Sequence, residues 1–165
     1  MMSMIKRGLR EILICAVLFI FISQGMSFLR SPTLDRPDLP EFKEILLDQQ
    51  FFDSTQRSNQ PILIYIWATW CSVCRFQSPV IDSIASDIDV LSIAVNSGQD
   101  QEVREYMKQH HLTFPVLNDP HHRWSQRFKV SVFPTLFLYN AQGQRKFTEV
   151  GYTSWLGLKV RLWWL

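Results

Sequence analysis

The amino-acid sequence predicts an α/β domain with a central mixed β-sheet that has helices on both faces. Three short apolar runs, residues 62–67, 90–95 and 135–139, have the length and the β-branched content of buried strands. Segments with the periodicity of amphipathic helices separate them. The third run is followed by a turn and another extended segment, as in a hairpin. Parallel and antiparallel strands are therefore expected to share one sheet.

The composition is that of one globular domain with an apolar appendage. The 165 residues are 47% hydrophobic and 19% charged, with a formal net charge of +2. This net charge is too small to indicate a nucleic-acid partner. Three cysteines are too few for a scaffold stapled by disulfides. Because Cys15 lies in the apolar N-terminal run, Cys71 and Cys74 form the one pair of cysteines in the predicted domain.

Residues 1–30 are predicted to be a membrane anchor. Three basic residues precede an uncharged stretch from residue 12 to residue 29, which as a helix would be about 27 Å long, close to the thickness of a bilayer core. Cations before the stretch place the N-terminus in the cytoplasm and the domain across the membrane. A cleaved signal sequence is the alternative, because small residues follow the apolar run. Either way the domain is expected in an oxidising compartment.

A linker and shorter elements complete the predicted organisation. Residues 31–40 hold three prolines and no apolar periodicity, which indicates a stiff, extended linker before the domain at residues 41–165. Pro79 is expected to kink the first helix, and Gly143 to supply the positive φ of a hairpin turn. Around the three buried strands we expect a short strand or hairpin at 41–52, helices at 72–86 and 101–110, an extended piece and turn at 114–120, helical turns at 122–128, an edge strand at 145–150 and a closing helix at 153–164.

Cys71 and Cys74 fall at the turn between the first buried strand and the helix that follows it. A sulfur at a helix N-terminus faces free backbone N–H groups and the positive end of the helix dipole, which lower the pKa of a thiol. Cys71 is therefore expected to be the exposed nucleophile that attacks a protein disulfide. Cys74, one turn later and more buried, would resolve the mixed disulfide.

Metal binding and a purely structural disulfide are the alternatives for this pair. Two cysteines supply half of the ligands of a closed zinc site, and the sequence has no second CxxC. A copper-binding protein that uses Cys71, Cys74 and a histidine is the rival function. A disulfide that closes so short a loop removes little chain entropy. We expect that neither a metal nor an organic cofactor is required. The four histidines available to the rival are His110, His111, His121 and His122.

A second motif, SVFPT at residues 131–135, precedes the third buried strand. Pro134 cannot donate to a strand ladder, so it is tolerated where the strand begins. A cis Phe133–Pro134 bond would turn the chain sharply there and bring backbone beside the two sulfurs. The backbone groups of Phe133 would then pair with an extended substrate peptide. Trp70 would form a wall facing the substrate, Trp67 is expected to be core, and Trp124 is expected to border the site.

Together these motifs resemble the thioredoxin fold. The matching pieces are ILIYIWATWCSVCRFQSPVIDSIA and, further along, VSVFPTLFLY. In that fold a tryptophan precedes the first cysteine, a proline kinks the helix and a cis-proline faces the pair; Trp70, Pro79 and Pro134 match these positions. The chain is similar to the membrane-tethered bacterial TlpA, ResA and DsbE/CcmG group in three features. These are the N-terminal anchor, the sequence motif WATWC and an inserted segment before the cis-proline strand.

The resemblance implies a thiol–disulfide oxidoreductase that is held by one transmembrane helix in the inner membrane and faces the periplasm. Members usually act as reductants of protein disulfides and are recharged by a membrane electron donor of the DsbD type. An oxidant or isomerase of the same fold is the alternative. The pieces SGQD, FPVLND and WATWCSVCR look still more like the branch of the suppressor of copper sensitivity protein D, which implies a link to copper tolerance.

Two positions depart from the resemblance. Tyr65 stands where thioredoxin has a buried acid, and Gln77 stands where the cytochrome-maturation members carry a glutamate. The usual acceptor for the proton of Cys74 is therefore missing from both places. Glu102 and Asp119 are possible substitutes.

Overall fold

The structure is a computed structural model, which describes residues 37–57 and 60–165 and the single positions 10, 11, 14, 15, 18, 25 and 32. All but six positions of the predicted anchor and half of the predicted linker lie outside the described residues. In the part of the chain so described, no helix combines the length and the hydropathy needed to span a bilayer.

The elements predicted from sequence periodicity are confirmed, with shifts of one or two residues at some ends. Of the two alternatives for residues 41–52, a short strand or a hairpin, the structure has the hairpin. The extended piece after residue 114 is a strand of the sheet. In chain order the described residues form β1 (Lys43–Ile45), β2 (Phe51–Asp53), a 3-10 turn (Ser54–Gln56), β3 (Ile62–Trp67), α1 (Ser72–Ile84), β4 (Asp89–Val95), α2 (Asp100–Gln109), β5 (Val116–Asp119), α3 (Arg123–Arg127), β6 (Thr135–Tyr139), β7 (Arg145–Val150) and α4 (Trp155–Trp163).

Five strands form one mixed sheet in the order β5-β4-β3-β6-β7. Strand β3 runs parallel to β4 and antiparallel to β6, while β4 pairs in parallel with β5 and β6 antiparallel with β7. The central position of β3 explains why its whole sequence is apolar, because both of its faces are covered. Strands β1 and β2 form a separate antiparallel hairpin.

The alternation of side chains along β3 divides the core into two layers. Every residue of β3 is fully buried. Its odd-numbered residues, with side chains of α1, α2 and α4, form one layer, which we call the α1 face. Its even-numbered residues, with side chains of α3 and of the segment before β1, form the other layer, which we call the α3 face. Helices therefore cover both faces of the sheet, as predicted.

The two ends of the sheet carry different features. The turn with Cys71 follows the C-terminal end of β3 and leads into α1, which contains Cys74; we call this end of the sheet the sulfur end. At the opposite end, the hairpin turn between β6 and β7 receives the first continuously described residues of the chain. The Leu39 N–H donates to the Gly143 carbonyl at 2.8 Å, and the Arg145 N–H donates to the Pro37 carbonyl at 2.8 Å. Gly143 has φ +74°, as the predicted turn requires.

Helix α3 begins with a carboxylate cap from the end of β5. Asp119 is buried, and its Oδ2 accepts hydrogen bonds from the backbone N–H groups of Trp124 at 3.1 Å and Ser125 at 2.9 Å. These N–H groups belong to the first turn of a helix, where no carbonyl of the helix can reach them. Asp119 therefore fixes the short helix against the sheet.

The Asp119→Ala variant is expected to lose about 1–2 kcal/mol of unfolding free energy, because two buried N–H groups lose their acceptor. Urea titration followed by circular dichroism measures the change. Asp119→Asn, which keeps one acceptor oxygen, is the matched variant and should lose less. Equal stability of wild type and Asp119→Ala would contradict the capping role.

Candidate active site

The two cysteines lie where the turn after β3 becomes helix α1. Cys71 is the N-cap residue with an extended backbone, as predicted, and the Cys74 N–H donates to Cys71 Sγ at 3.2 Å. The two sulfurs are bonded to each other, and the Cα atoms are 5.2 Å apart. Cys71 is 8% exposed and Cys74 is fully buried. Of the two, Cys71 is therefore the more accessible, although it is more buried than the sequence predicts.

The helix end stabilises negative charge on Cys71. A thiolate there would keep the Cys74 N–H as a donor and would face the positive end of the α1 dipole. The first turn of α1 carries no acidic residue that would oppose this charge. The local electrostatics therefore favour a leaving or attacking thiolate at position 71.

The SVFPT motif is brought to the same end of the sheet. Strand register pairs Thr135 with Ile66, so Pro134 lies one step beyond, beside Trp67 at the end of β3. The Phe133–Pro134 bond is cis, as predicted. The carbonyl of Pro134 accepts the Gly151 N–H at 2.8 Å. The proline thus lies next to the end of the central strand and is hydrogen-bonded to the segment that follows β7.

Trp70 stands at the surface next to Cys71 and is held there by two neighbours. Its side chain is 60% exposed. The indole N–H donates to the Asn96 carbonyl at 2.9 Å. The ring also meets Phe133 edge to face, with centroids 5.6 Å apart. The structure therefore places Trp70 beside Cys71 and against Phe133, the residue before the cis-proline, with the indole held in one orientation.

A second concave surface, which we call the Arg75 groove, borders Cys71 and lies beside helix α2. Its volume is about 550 Å³. Tyr106 forms part of its wall and packs against Trp67, with centroids 5.5 Å apart, and against His110 at 4.3 Å. Sequence reasoning missed Tyr106, although its spacing of four residues from His110, the C-cap residue of α2, places both on one side of the helix. The groove is lined by Thr69, Trp70, Cys71, Ser72, Arg75, Phe76, Tyr106 and His110.

Tyr65 lies behind the cysteine pair as a neutral hydrogen-bond donor. Its hydroxyl donates to the Cys74 carbonyl at 3.3 Å and lies 3.0 Å from the Ser78 hydroxyl. Burial raises the pKa of Tyr65 far above its usual value. The phenol therefore stays protonated at physiological pH and supports the first turn of α1, and it does not take the proton of Cys74.

The side chain of Gln77 also has a structural role, because it makes a buried hydrogen bond. It is fully buried, and its Oε1 accepts the backbone N–H of Thr153 at 2.7 Å. This bond ties α1 to the segment between β7 and α4. Its Nε2 has no hydrogen-bond partner among the described residues. The position thus provides a neutral amide beside the helix turn of Cys74, and no titratable group.

Gln77→Met is expected to lower the free energy of unfolding by about 1–3 kcal/mol, because the buried Thr153 N–H loses its acceptor. Methionine fills a similar volume, so the change isolates the hydrogen bond. Urea titration measures it. Gln101→Met is the matched control: Gln101 is exposed and bonds to Glu105, so its loss should stay below ~0.5 kcal/mol. Equal losses in the two variants would contradict this account.

The two carboxylates considered as substitute proton acceptors are engaged elsewhere. Glu102 accepts the Gln99 N–H at 2.6 Å in a capping box at the start of α2, and Asp119 caps α3. The expectation that Trp124 borders the site is wrong. That ring lies on the α3 face and stacks on Phe42, with centroids 4.1 Å apart. The expectation failed because the sequence does not tell on which face of the sheet the segment after β5 packs.

The histidines do not assemble a metal site in the described part of the chain. Residues 37–57, 60–165 and the isolated N-terminal positions contain no group of three or more histidine, cysteine or acidic side chains placed to hold a metal ion. One histidine, His110, lines the Arg75 groove with Cys71. It does so as part of an aromatic wall against Tyr106.

Comparisons with known proteins show the family to which the chain belongs. Residues 35–155 match the family model described as Redoxin. The chain is 33% identical over 159 residues to a thioredoxin-like protein of Haemophilus influenzae, which covers 96% of this chain and 95% of that protein. It is 25% identical over 144 residues to the thiol-disulfide oxidoreductase ResA of Bacillus subtilis, covering 85% and 80%.

The fold is also that of solved relatives. A secreted disulfide oxidoreductase of Mycobacterium tuberculosis, homologous to Escherichia coli DsbE, superimposes with a TM-score of 0.67 at 22% identity and covers 76% of this chain and 96% of that one. The central mixed sheet flanked by helices is thus a thioredoxin fold. With a family model that matches most of its length and a near-full-length relative, this chain belongs to the Redoxin family of thioredoxin-like thiol–disulfide oxidoreductases.

Proposed function

We propose that this oxidoreductase works in the periplasm as a membrane-tethered reductant of protein disulfides. The observation that carries the proposed exchange reaction is the unequal exposure of the cysteine pair at the start of α1, while the compartment, the tether and the direction are proposed from the N-terminal sequence and the family likeness. Cys71 is the sulfur within reach, and Cys74 lies buried one turn behind it. This is the arrangement that a two-step exchange needs, since one sulfur meets the substrate and the other releases it.

The proposed reaction moves two electrons from the dithiol to the substrate. The Cys71 thiolate attacks one sulfur of a substrate disulfide, a Cys71–substrate bond forms, and the second substrate sulfur leaves as a thiolate. Cys74 then loses its proton and attacks Cys71 Sγ. The substrate leaves with both sulfurs reduced, and the pair is left joined as in the structure. Because Tyr65 and Gln77 do not titrate at physiological pH, we infer that water or the leaving substrate thiolate takes the proton of Cys74.

The substrate is proposed to lie along Trp70 and the cis-proline turn. Phe133 and Pro134 leave the sheet at the sulfur end, where an extended peptide would pair with the backbone of Phe133. The fixed indole of Trp70 would cover one side of that peptide. These three residues are the proposed binding surface for the peptide backbone of a substrate.

The location and the electron supply follow from the N-terminal sequence and from the family likeness. Residues 1–30 are proposed as a single-pass inner-membrane anchor, residues 31–40 as the linker and residues 41–165 as the periplasmic domain. A membrane donor of the DsbD type would reduce the joined pair after each turnover. The likeness to the branch of the suppressor of copper sensitivity protein D supports a role in copper tolerance, by repair of disulfides that copper generates.

The redox state of the pair in intact cells tests the proposed direction. Cells are quenched in acid, free thiols are alkylated with a mass tag, and Cys71 and Cys74 are read by mass spectrometry. A reductant keeps most of the pair as thiols. A pair that is mostly joined in wild-type cells would refute the reductant role and favour an oxidant of the same fold. A strain without its DsbD-type donor should shift a reductant's pair to the joined form.

Copper titration of the reduced, full-length protein tests the copper-binding alternative. His110→Ala is the informative variant, since His110 lines the same groove as Cys71. We expect His110→Ala to leave copper affinity unchanged. Tight binding that is lost in His110→Ala would instead favour a copper-binding protein that uses the cysteine pair and this histidine.

A further inference from the structure

We propose that the Arg75 groove selects protein disulfides that carry an acidic side chain next to the attacked cysteine. The proposal rests on the proposed function and deepens it, because it names a class of substrate. Cys71 lies at the boundary of two surfaces. The cis-proline turn offers backbone pairing on one side, and the Arg75 groove receives what flanks the substrate cysteine on the other.

The ionisable side chains that line the groove favour an anion. Apart from Cys71 they are Arg75, Tyr106 and His110, and no carboxylate lines the groove. Burial raises the pKa of Tyr106, so its phenol stays neutral. The acids of α2, which are Asp100, Glu102 and Glu105, lie outside this lining. The permanent charge of the groove is therefore the guanidinium of Arg75.

The charge of Arg75 is not stabilised by the dipole of its own helix. Arg75 lies in the first turn of α1, where the dipole disfavours a cation and favours an anion. Its side chain is exposed, and no ion pair or side-chain hydrogen bond of Arg75 is found within the described ranges. By contrast, Arg57, Arg123 and Arg161 each pair with a carboxylate. The helix end and the unpaired guanidinium together offer an anionic group two sources of attraction.

The walls of the groove suit a peptide segment. Phe76 is 72% exposed on α1, so an apolar flank of a substrate would cover it. Tyr106 is held against Trp67, and Trp70 against Asn96, as described above. Both rings are thus in place before a substrate arrives, which lowers the entropy cost of binding. A carboxylate two or three atoms beyond the peptide backbone would meet Arg75 while its neighbouring sulfur meets Cys71.

Reduction of a matched set of peptides by the full-length protein in detergent micelles tests the proposal. Each peptide has one intramolecular disulfide, and the residue beside one cysteine is Glu, Gln or Lys. We expect second-order rate constants in the order Glu, Gln, Lys, with steps of about two- to fivefold, the range of an exposed ion pair. The steps should shrink as ionic strength rises.

Variants at position 75 separate substrate selection from effects on Cys71 itself. Arg75→Gln should remove the difference between the Glu and Gln peptides, and Arg75→Glu should reverse the order. Lys108→Glu is the matched control. Lys108 lies exposed on α2, outside the groove lining, so this variant should keep the wild-type order. If Arg75→Gln slows all three peptides equally, Arg75 acts on the thiolate and the proposed selection is overturned.

Two further outcomes would also overturn it. One is equal rates for the three peptides in wild type, and the other is a reversal by Lys108→Glu as large as that by Arg75→Glu, which would indicate a general field. The Gln peptide separates failure of the proposed charge selection from failure of the proposed function. If wild type reduces it but shows no charge preference, the selection fails alone. If wild type reduces none of the peptides, the proposed function fails as well.

Discussion

Cys71→Ser is expected to abolish disulfide reduction, whereas Cys74→Ser is expected to hold its substrates as stable mixed disulfides. A serine hydroxyl stays protonated and does not attack sulfur, so without Cys71 no bond to substrate can form. Without Cys74 the first bond forms but nothing within the protein breaks it. Rates for Cys71→Ser should fall to the uncatalysed level, and Cys74→Ser should turn over at most once.

Trapping in cells measures this difference directly. Proteins are separated without reductant, and bands that disappear on reduction are identified by mass spectrometry. Cys15→Ser is the control, because Cys15 is the free cysteine found among the described residues and is exposed. Adducts should persist in Cys15→Ser combined with Cys74→Ser. Adducts in Cys71→Ser but not in Cys74→Ser would reverse the assigned roles, and adducts that need only Cys15 would refute the mechanism.

The second large effect is expected in the core. Trp67→Ala should lower the free energy of unfolding by about 3–5 kcal/mol, since it leaves a large cavity in a packed aromatic cluster. Trp67 is fully buried, and its ring lies 6.0 Å from Tyr65, 5.5 Å from Tyr106 and 6.0 Å from Phe114, between centroids. Urea titration with circular dichroism measures the loss.

Trp163→Ala provides the comparison for this variant. Trp163 is 83% exposed at the end of α4, so its removal should change the free energy of unfolding by no more than ~0.5 kcal/mol. A similar loss in both variants would mean that Trp163 is covered in solution by something outside the described residues. A loss below ~1 kcal/mol for Trp67→Ala would contradict the packing of this cluster.

Local signals were sufficient for most of the fold. The run from Ile62 to Trp67 is apolar throughout because β3 is central and covered on both faces, and the sequence records that burial directly. The capping position of Cys71 was predictable because the strand ends and helical spacing begins within a few residues. Gly143 marked its turn through a conformation that glycine adopts readily.

Features that depend on packing between distant segments were not predictable. The Gln77 side chain is hydrogen-bonded to Thr153, 76 residues away in the chain. No pattern in the sequence near either residue predicts this pairing. The Arg75 groove exists because α2 folds back beside the start of α1, which brings Tyr106 against Trp67. Trp124 was misplaced for a related reason, since the choice of sheet face after β5 is made by tertiary packing.

The first continuously described residues lie far from the cysteine pair. They join the β6–β7 hairpin turn, about 20 Å along the central strand from the sulfurs. The chain therefore enters the described domain at the end opposite the cysteine pair, and the segment at residues 37–39 does not cover Cys71. Because the domain has one dithiol, a substrate that oxidises the pair and a donor that reduces it cannot react with it at the same moment. Each catalytic cycle would then need two separate encounters at the same sulfur, first with one protein and then with the other.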